Sequence, residues 1–417
     1  MPPPTGPPGH AAYAFYGDAP PPDLLTVDAT FAARAPRVAG AAPDPNFPRW
    51  LAWSPDGGVL VCVTDGGGVR AYEVASDAAA APALAAGDAP SNPALVPRPS
   101  TWRLGEAFRS AAFHPAGGPL QDDHPPPAVA GFGAPRLAVA TRHTPPRLVD
   151  ARTGEIVASY VALDAVAEPA EATAVAFSSD GAALVAAVGA SLRVFDAAAG
   201  GSDKSAISTH RKRDDGGGLA GGLACLATSP ASSLAAAGAT SGAVGLYDFR
   251  ESSAVAVLDG HARGVTQVAW SPCGGFCFSA ARRERGILCW DARALAGPVL
   301  TLEREPGETN QRLGFALDPP GGTLVSGGPG GRATAHSVSR PGAPAASWQA
   351  GGAAVACVAS HPWLPLLATG CGERVFGGGG ESESDGGGNP SSTPSALPAV
   401  CVALWRPPYT WTDAPEG

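Results

Sequence analysis

The side chains in this chain that could form a common chemical site are arginines and two ring-bearing residues beside predicted turns. A guanidinium group hydrogen-bonds to phosphate oxygens and stacks on flat rings, and indole and imidazole rings offer further stacking surfaces. The chemistry open to such a set is contact with phosphates and unpaired bases. The candidate residues are Arg49, Trp50, Arg109, Arg142, His143, Arg263, Arg282, Arg283, Arg285 and Arg312.

Motifs for catalysis, metal binding and cofactor binding are not found in the sequence. It has no Gly-x-x-x-x-Gly-Lys phosphate loop, no His-x-x-x-His pair and no nucleophile elbow. Cys273 and Cys277 are four residues apart, but no second pair or flanking histidine completes a metal set. The sequence therefore predicts no catalytic residue, no metal site, no cofactor and no enzymatic activity.

The composition limits the classes of partner. The formal net charge is −9, with two lysines and 26 arginines, so bulk electrostatics do not favour coating of nucleic acid and no DNA partner is expected. Any nucleic-acid contact must come from a local basic patch. The first residues lack the charged start and apolar core of a secretory signal, and no 18-residue apolar run occurs. A soluble intracellular protein without a membrane partner is expected, with its eight cysteines acting as small buried hydrophobes.

A repeated pattern predicts the elements that position these residues. Short apolar strands run seven times into a similar turn, whose marker residues are Ser54, His114, Ser178, Ser229, Ser271, Asp318 and His361. The steps between them are 60, 64, 51, 42, 47 and 43 residues. The shorter steps match the roughly 40–45 residue period of a four-stranded propeller blade. The longer steps leave room for insertions, which are predicted at residues 76–100, 200–221 and 377–399.

Further strands follow each marker turn, and several third strands end in Asp, as in Leu148-Val-Asp150 and Leu288-Cys-Trp-Asp291. Units of this kind cannot bury their faces alone and stack into a ring. The predicted fold is all-β, a seven-bladed WD-repeat β-propeller with a disordered N-terminal segment. In such a ring, the turns before the first strand and between the second and third strands share one end, which would gather the candidate arginines on one rim.

The predicted domain organisation has three parts. The propeller occupies residues 44–408, between a Pro/Ala/Gly-rich segment at 1–43 and a short tail at 409–417. Within the first segment, residues 24–31 alternate in polarity over a length that suits one strand. Because residues 400–405 would form only the third strand of blade 7, residues 24–31 are predicted to complete that blade and close the ring.

Blade 5 carries four residues with predicted structural roles, namely His261, Ser279, Trp290 and Asp291. His261 stands at the position of a blade-entry histidine and is expected to be buried and hydrogen-bonded to Ser279. The Trp-Asp pair ends a third strand. Because Arg-Arg-Glu at residues 282–284 replaces the Asp usual in the turn between the second and third strands, the hydrogen-bond network of this blade is expected to be incomplete.

Several motifs occur in series within blades 5 and 6, among them Gly260-His-Ala-Arg-Gly-Val-Thr266, Leu288-Cys-Trp-Asp-Ala-Arg293, Thr309-Asn-Gln-Arg312 and Phe315-Ala-Leu-Asp-Pro319. Shorter pieces include Asn46-Phe-Pro-Arg-Trp-Leu-Ala-Trp53 and His361-Pro-Trp-Leu-Pro-Leu-Leu-Ala-Thr369. Together they closely resemble the telomerase Cajal body protein family, WD-repeat proteins that bind small Cajal body RNAs. The resemblance covers residues 46–406, thins in blade 2 and is absent from the first 45 residues.

This resemblance implies a non-catalytic RNA-binding scaffold in the nucleus. Its RNA would be a CAB-box small Cajal body RNA or telomerase RNA, contacted by the candidate residues. The protein would direct the resulting ribonucleoprotein to Cajal bodies. Its protein partners would be H/ACA ribonucleoprotein and telomerase components. The alternative is a general WD-repeat protein-interaction scaffold, such as an adaptor or a ribosome-assembly factor. His210-Arg-Lys-Arg213 could be a nuclear-import signal, a phosphate contact or a solvated loop.

Overall fold

The chain folds into a closed ring of small β-sheets. The computed structural model describes residues 23–28, 46–74, 95–97, 101–115, 135–163, 168–210, 218–305, 309–339, 342, 344–373 and 401–406. Within these ranges it contains thirty strands in seven sheets and no helix. Each sheet is one blade, and the predicted seven-bladed propeller is confirmed. In the described part of the chain, no helix has the length and apolar character needed to cross a membrane.

The order of strands within a blade follows the chain from the channel to the outer edge. The first strand described, β1 (Asp23–Asp28), is the exception, because it belongs to the last blade. Blade 1 contains β2 (Pro48–Trp53), β3 (Val59–Thr64), β4 (Gly68–Val74) and β5 (Leu95–Pro97), with β6 (Trp102–Arg103) also pairing with β4. Blade 2 contains β7 (Phe108–Phe113), β8 (Arg136–Thr141), β9 (Arg147–Asp150) and β10 (Ile156–Val161).

Blades 3 to 6 are antiparallel four-stranded sheets. Blade 3 consists of β11 (Ala174–Phe177), β12 (Ala183–Val188), β13 (Ser191–Asp196) and β15 (Ser205–Ser208), and the intervening β14 (Gly201–Ser202) pairs in parallel with β10 of blade 2. Blade 4 consists of β16 (Leu223–Thr228), β17 (Leu234–Ala239), β18 (Val244–Asp248) and β19 (Ser253–Leu258). Blade 5 consists of β20 (Val265–Trp270), β21 (Phe276–Ala281), β22 (Gly286–Asp291) and β23 (Leu300–Glu303). Blade 6 consists of β24 (Phe315–Leu317), β25 (Thr323–Gly327), β26 (Arg332–Ser337) and β27 (Ala346–Gln349).

Blade 7 joins the two ends of the described chain. It consists of β28 (Val355–Ser360), β29 (Leu367–Cys371), β30 (Cys401–Arg406) and β1, which pairs antiparallel with β30. Asp23 lies opposite Arg406 and Asp28 opposite Val402. Strand β1 overlaps the predicted closing strand over residues 24–28. The rest of the 1–43 segment, which is residues 1–22 and 29–43, lies outside the described residues, as does the 409–417 tail.

Two predicted insertions contribute strands to the blades, so they are not wholly loops. Strand β15, within residues 200–221, supplies the outer strand of blade 3, and β5, within residues 76–100, pairs with β4. The sequence pattern missed β15 because Ile207 is the only large apolar side chain in it, buried to 3% exposure. Such a strand carries little hydrophobic periodicity. Residues 211–213 of the basic stretch and the 377–399 insertion lie outside the described residues.

The hydrophobic core is divided between the blades. Seven clusters of buried side chains occur in the described residues, and each combines residues from two neighbouring blades. One of them packs Leu60 and Tyr72 of blade 1 against Leu366 and Leu404 of blade 7. Many buried positions are alanines, such as Ala235, whose small volume allows close packing of the sheets. This cluster between blades 7 and 1 closes the ring.

The predicted turns form local hydrogen bonds that explain their sequence pattern. Ser54 Oγ accepts a hydrogen bond from the Val59 amide at 3.0 Å, and Ser271 Oγ accepts one from Phe276 at 3.0 Å. Gly57, with φ 71°, lies against the ring of His361 from blade 7, where a Cβ would collide. The marker turns therefore fix both the hairpin within a blade and the contact to the next blade.

Candidate nucleic-acid interface

The predicted site residues lie at one end of the ring. First strands begin there and second strands end there, because successive strands of a blade are antiparallel. Eight arginines from blades 1, 2, 5 and 6 occupy these positions and are called the arginine rim below. The arginine rim consists of Arg49, Arg109, Arg142, Arg263, Arg282, Arg283, Arg285 and Arg312.

Four of these arginines are close enough to influence one another electrostatically. Arg312, just before β24, is partly buried, and its Nη2 donates to the carbonyl of Ala224 at 3.3 Å. Desolvation, together with the positive charges of Arg49, Arg282 and Arg109, lowers the pKa of Arg312. Like charges gathered in this way repel one another, and an anion placed among them would relieve the repulsion.

Two members of this group are paired with carboxylates but keep free donor capacity. Arg49 Nη1 lies 2.8 Å from Asp65 Oδ1, and Arg109 Nη2 lies 3.0 Å from Glu171 Oε1. Their side chains remain 35% and 36% exposed. A guanidinium group has five N–H donors, so each of these ion pairs leaves several for a ligand. The Arg109–Glu171 pair is partly exposed on both sides, and pairs of that kind are weak enough to rearrange, whereas Asp65 is buried.

Arg142 and His143 form the exposed turn between β8 and β9. His143 has φ 61°, and its amide donates to Glu171 Oε2 at 2.7 Å. Partial burial opposes ionisation of Glu171, but the His143 amide and the charge of Arg109 outweigh it and lower the pKa of Glu171. The ionised Glu171 therefore ties this turn to the start of β7, while the side chains of Arg142 and His143 stay exposed.

An equivalent turn in blade 5 presents a second exposed group. Arg282 and Arg283 follow β21, and Arg283 has φ 58° at the position that His143 occupies in blade 2. Arg285 and Arg263 are also exposed. Within the described residues, the side chains of these four arginines form no ion pair with a carboxylate. Their charge is available to a partner.

Glu284 completes the blade-5 network, so the expectation of an incomplete network was wrong. Its Oε2 lies 2.7 Å from Nδ1 of the buried His261. The second ring nitrogen, Nε2, lies 2.8 Å from Ser279 Oγ, which also accepts a hydrogen bond from Trp290 Nε1 at 2.8 Å. A glutamate two residues beyond Arg282 reaches back because its side chain is one methylene longer than that of aspartate.

Arg304 is a buried residue of this region that sequence reasoning missed. Its guanidinium donates to the carbonyls of Ala281 at 2.9 Å, Leu313 at 3.0 Å and Glu284 at 3.2 Å. Burial lowers its pKa to about 10. These carbonyls flank the Arg282–Arg283 turn and adjoin Arg312, so Arg304 fixes the backbone that carries them. No sequence motif marks it, because its partners are backbone atoms.

Two predicted residues lie apart from the exposed surface of the rim. Trp50 is partly buried, and its ring contacts Phe108 and Phe113 at centroid distances of 6.3 and 6.1 Å. Its indole therefore packs between blades 1 and 2. Asp291 lies at the opposite end of blade 5, where its carboxylate accepts hydrogen bonds from Arg293 at 2.8 and 2.9 Å.

Metal ligation finds no support in the arrangement of side chains. Among the residues that the structure describes, no three His, Cys, Asp or Glu side chains are placed to hold a metal ion. All eight cysteines are described, and seven are buried while Cys273 is exposed. Burial raises the pKa of the Cys225 thiol to about 12, so it is protonated at neutral pH.

Comparison with known proteins shows which proteins this chain resembles. Residues 252–291 match the family model for the WD domain, G-beta repeat. The chain is 37% identical to Telomerase Cajal body protein 1 of Bos taurus over 246 residues, which is 58% of this chain and 45% of that protein. It is 37% identical to the Homo sapiens protein of that name over 255 residues, covering 60% of this chain and 46% of that protein.

A more distant relative extends the similarity. The Telomerase Cajal body protein 1 homolog of Drosophila melanogaster is 28% identical over 340 residues, which is 79% of this chain and 58% of that protein. The chain spans about half the length of the curated relatives that it matches. The similarity, the WD-repeat match and the seven blades agree. The chain is a seven-bladed WD-repeat propeller whose sequence is similar to Telomerase Cajal body protein 1.

Proposed function

We propose that this chain is a non-catalytic scaffold that binds RNA through the arginine rim. The RNA class would be small Cajal body RNA carrying a CAB box, or telomerase RNA. The observation that carries the proposal is the approach of Arg49, Arg109 and Arg282 to Arg312 at one end of the channel. A phosphate placed there would offset charge repulsion and accept several charge-assisted hydrogen bonds.

The exposed part of the rim suits an unpaired RNA loop. Arg142, Arg263, Arg283 and Arg285 present guanidinium planes to solvent, and such planes stack on bases as well as bind phosphates. Because Trp50 packs within the protein, stacking would rest on these arginines and on His143. The formal net charge of −9 means that binding depends on this local patch and not on the whole surface.

The proposed partners and location rest on the relatives. Their name, Telomerase Cajal body protein 1, supports a nuclear Cajal body location and telomerase-related partners for this chain. We include H/ACA ribonucleoprotein components among the proposed partners. In this role the propeller would hold RNA at one end and leave its other surfaces for proteins.

The test is crosslinking of the tagged full chain to RNA in cells, followed by sequencing of the recovered RNA. Enrichment of H/ACA-type small RNAs is expected, with at least a tenfold loss in an Arg282→Ala/Arg283→Ala/Arg285→Ala variant. The matched control is Lys204→Ala/Arg250→Ala/Arg293→Ala, which removes three exposed cations at the other end of the ring. Recovery of proteins alone would favour a general WD-repeat interaction scaffold instead.

A further inference from the structure

The end of the channel opposite the arginine rim holds a cavity, called the lower funnel here. The C-terminal ends of the first strands of blades 4 to 7 and the turns after them surround a volume of about 530 Å³ that opens to solvent. Its wall is largely apolar. The apolar side chains include Val268, Trp270, Pro272, Leu317, Pro319 and Pro362.

Among the described residues that line this wall, Asp318 is the one with a charged side chain. The residue is 2% exposed, and its Oδ1 accepts a hydrogen bond from the Thr323 amide at 3.0 Å. Its second oxygen, Oδ2, is buried and has no hydrogen-bond partner among the described residues. A buried carboxylate oxygen without a partner is costly unless a cation or donor reaches it.

The turn itself does not require a carboxylate. Ser54, Ser178 and Ser271 occupy the equivalent position in blades 1, 3 and 5, and each hydroxyl accepts the same amide hydrogen bond at 2.9–3.0 Å. One neutral acceptor is therefore enough to form the turn. In blade 6, desolvation raises the pKa of Asp318 to about 6, although amides of the turn and the Thr323 hydroxyl partly oppose the shift. The Thr323 amide contacts Oδ1, so Oδ2 is the oxygen left for a further partner.

We propose that the lower funnel binds a peptide segment of a partner protein through a Lys or Arg side chain that pairs with Asp318. The apolar wall would hold the aliphatic stem of that side chain and the flanking residues, and Trp270 offers a ring for cation–π contact. The volume accommodates a few residues, which fits a short linear segment. This interaction is independent of RNA binding, since it uses the opposite end of the channel.

The proposal is tested with an array of immobilised hexapeptides that carry Arg, Lys, citrulline or norleucine at a central position. The array is probed with the labelled full chain. Citrulline keeps the shape of arginine but removes the charge. The variants are Asp318→Ser, which installs the residue that forms this turn in other blades, and Asp318→Asn. The matched control is Asp180→Asn, which removes an exposed carboxylate from a marker turn at the same end.

The expected result is retention by Arg or Lys peptides, with at least a tenfold loss for citrulline peptides and for both Asp318 variants. The Asp180→Asn variant and the Arg282→Ala/Arg283→Ala/Arg285→Ala variant should bind as the unmodified chain does. Melting curves verify that Asp318→Ser is folded. The proposal is overturned if no cationic peptide is retained, if citrulline or norleucine peptides bind equally, or if folded Asp318→Ser binds as well as the unmodified chain.

Discussion

The carboxylate of Glu284 lies 2.7 Å from Nδ1 of His261 and links a buried histidine to an exposed arginine turn. Its other oxygen, Oε1, accepts a hydrogen bond from the amide of Arg263 at 2.7 Å. At the opposite nitrogen of the imidazole, Nε2, Ser279 joins His261 to Trp290. The network thus runs from the core of blade 5 to the arginine rim, and its loss should affect stability first.

Replacement of His261 by Ala tests the structural role of this network. The change leaves Ser279 and Glu284 without their shared partner, so we expect the free energy of unfolding to fall by about 1–3 kcal/mol. Denaturant titration measures the change, with the exposed His143→Ala as a matched control that should alter it little. An unchanged unfolding curve accompanied by lost RNA binding would instead assign His261 to the RNA site.

Removal of rim arginines should change the salt dependence of RNA binding. Each lost phosphate contact is expected to lower the slope of log K against log salt concentration by roughly 0.7 for single-stranded RNA. We therefore expect the Arg282→Ala/Arg283→Ala/Arg312→Ala variant to lose up to about 2 units of slope in a fluorescence titration at several salt concentrations. An unaltered slope would argue against phosphate contacts by these residues.

The triple variant needs one structural control, because its members differ in burial. Arg282 and Arg283 are exposed, whereas Arg312 donates to the carbonyl of Ala224 and is partly buried. The Arg282→Ala/Arg283→Ala double variant should keep the melting temperature of the unmodified chain. A lower melting temperature confined to the triple variant would show that Arg312 also supports the fold.

Truncation tests the proposal that β1 closes the ring. Deletion of residues 1–35 removes β1 and exposes the edge of β30, so we expect a markedly lower melting temperature. Deletion of residues 1–20 leaves β1 in place and should change the melting temperature little. The two truncations are compared by thermal denaturation of purified protein. Equal melting temperatures would refute closure by β1.

Asp318 should make the chain less stable as the pH rises from about 4 to above 6. Its pKa is about 6 when folded, against an ordinary value near 3.8, so the folded state binds more protons than the unfolded state between these values. Stability from this group is present below about pH 4 and is lost as the pH rises through 6. Asp318→Asn should therefore raise the free energy of unfolding at pH 7.5 by roughly 1–2 kcal/mol, and much less at pH 4. A pH-independent difference would contradict this linkage.

His361 should have the opposite pH dependence. Its Nδ1 accepts hydrogen bonds from the Trp363 and Leu364 amides at 3.0 and 2.8 Å, and Nε2 contacts the Gly57 carbonyl at 3.1 Å. Burial lowers its pKa to about 4, so the folded state binds fewer protons than the unfolded state between pH 4 and 6.5. Stability should fall through this range on acidification. Denaturant titrations across it should show a weaker fall for His361→Asn than for the unmodified chain.

Much of the fold was predictable from the sequence because it depends on local chemistry repeated seven times. Marker residues such as Ser54 and Ser271 accept an amide hydrogen bond within their own hairpin. Likewise, the carboxylate of Asp196, at the end of a third strand, accepts hydrogen bonds from the amides of Ala198 and Ala199. Such contacts involve residues a few positions apart and leave a clear pattern in the chain. The weakly patterned β15 was missed because only Ile207 marks its buried face.

The tertiary structure decided the properties that depend on residues distant in sequence. The approach of Arg49 and Arg109 to Arg312 follows from closure of the ring, which no local pattern encodes. The role of Glu284 depended on the reach of its side chain, and that of Arg304 on three backbone carbonyls. The sequence alone determined the seven blades and the positions of their turns. Only the packed ring determined which side chains pair, which are buried without a partner and which remain exposed, because these depend on distances between blades.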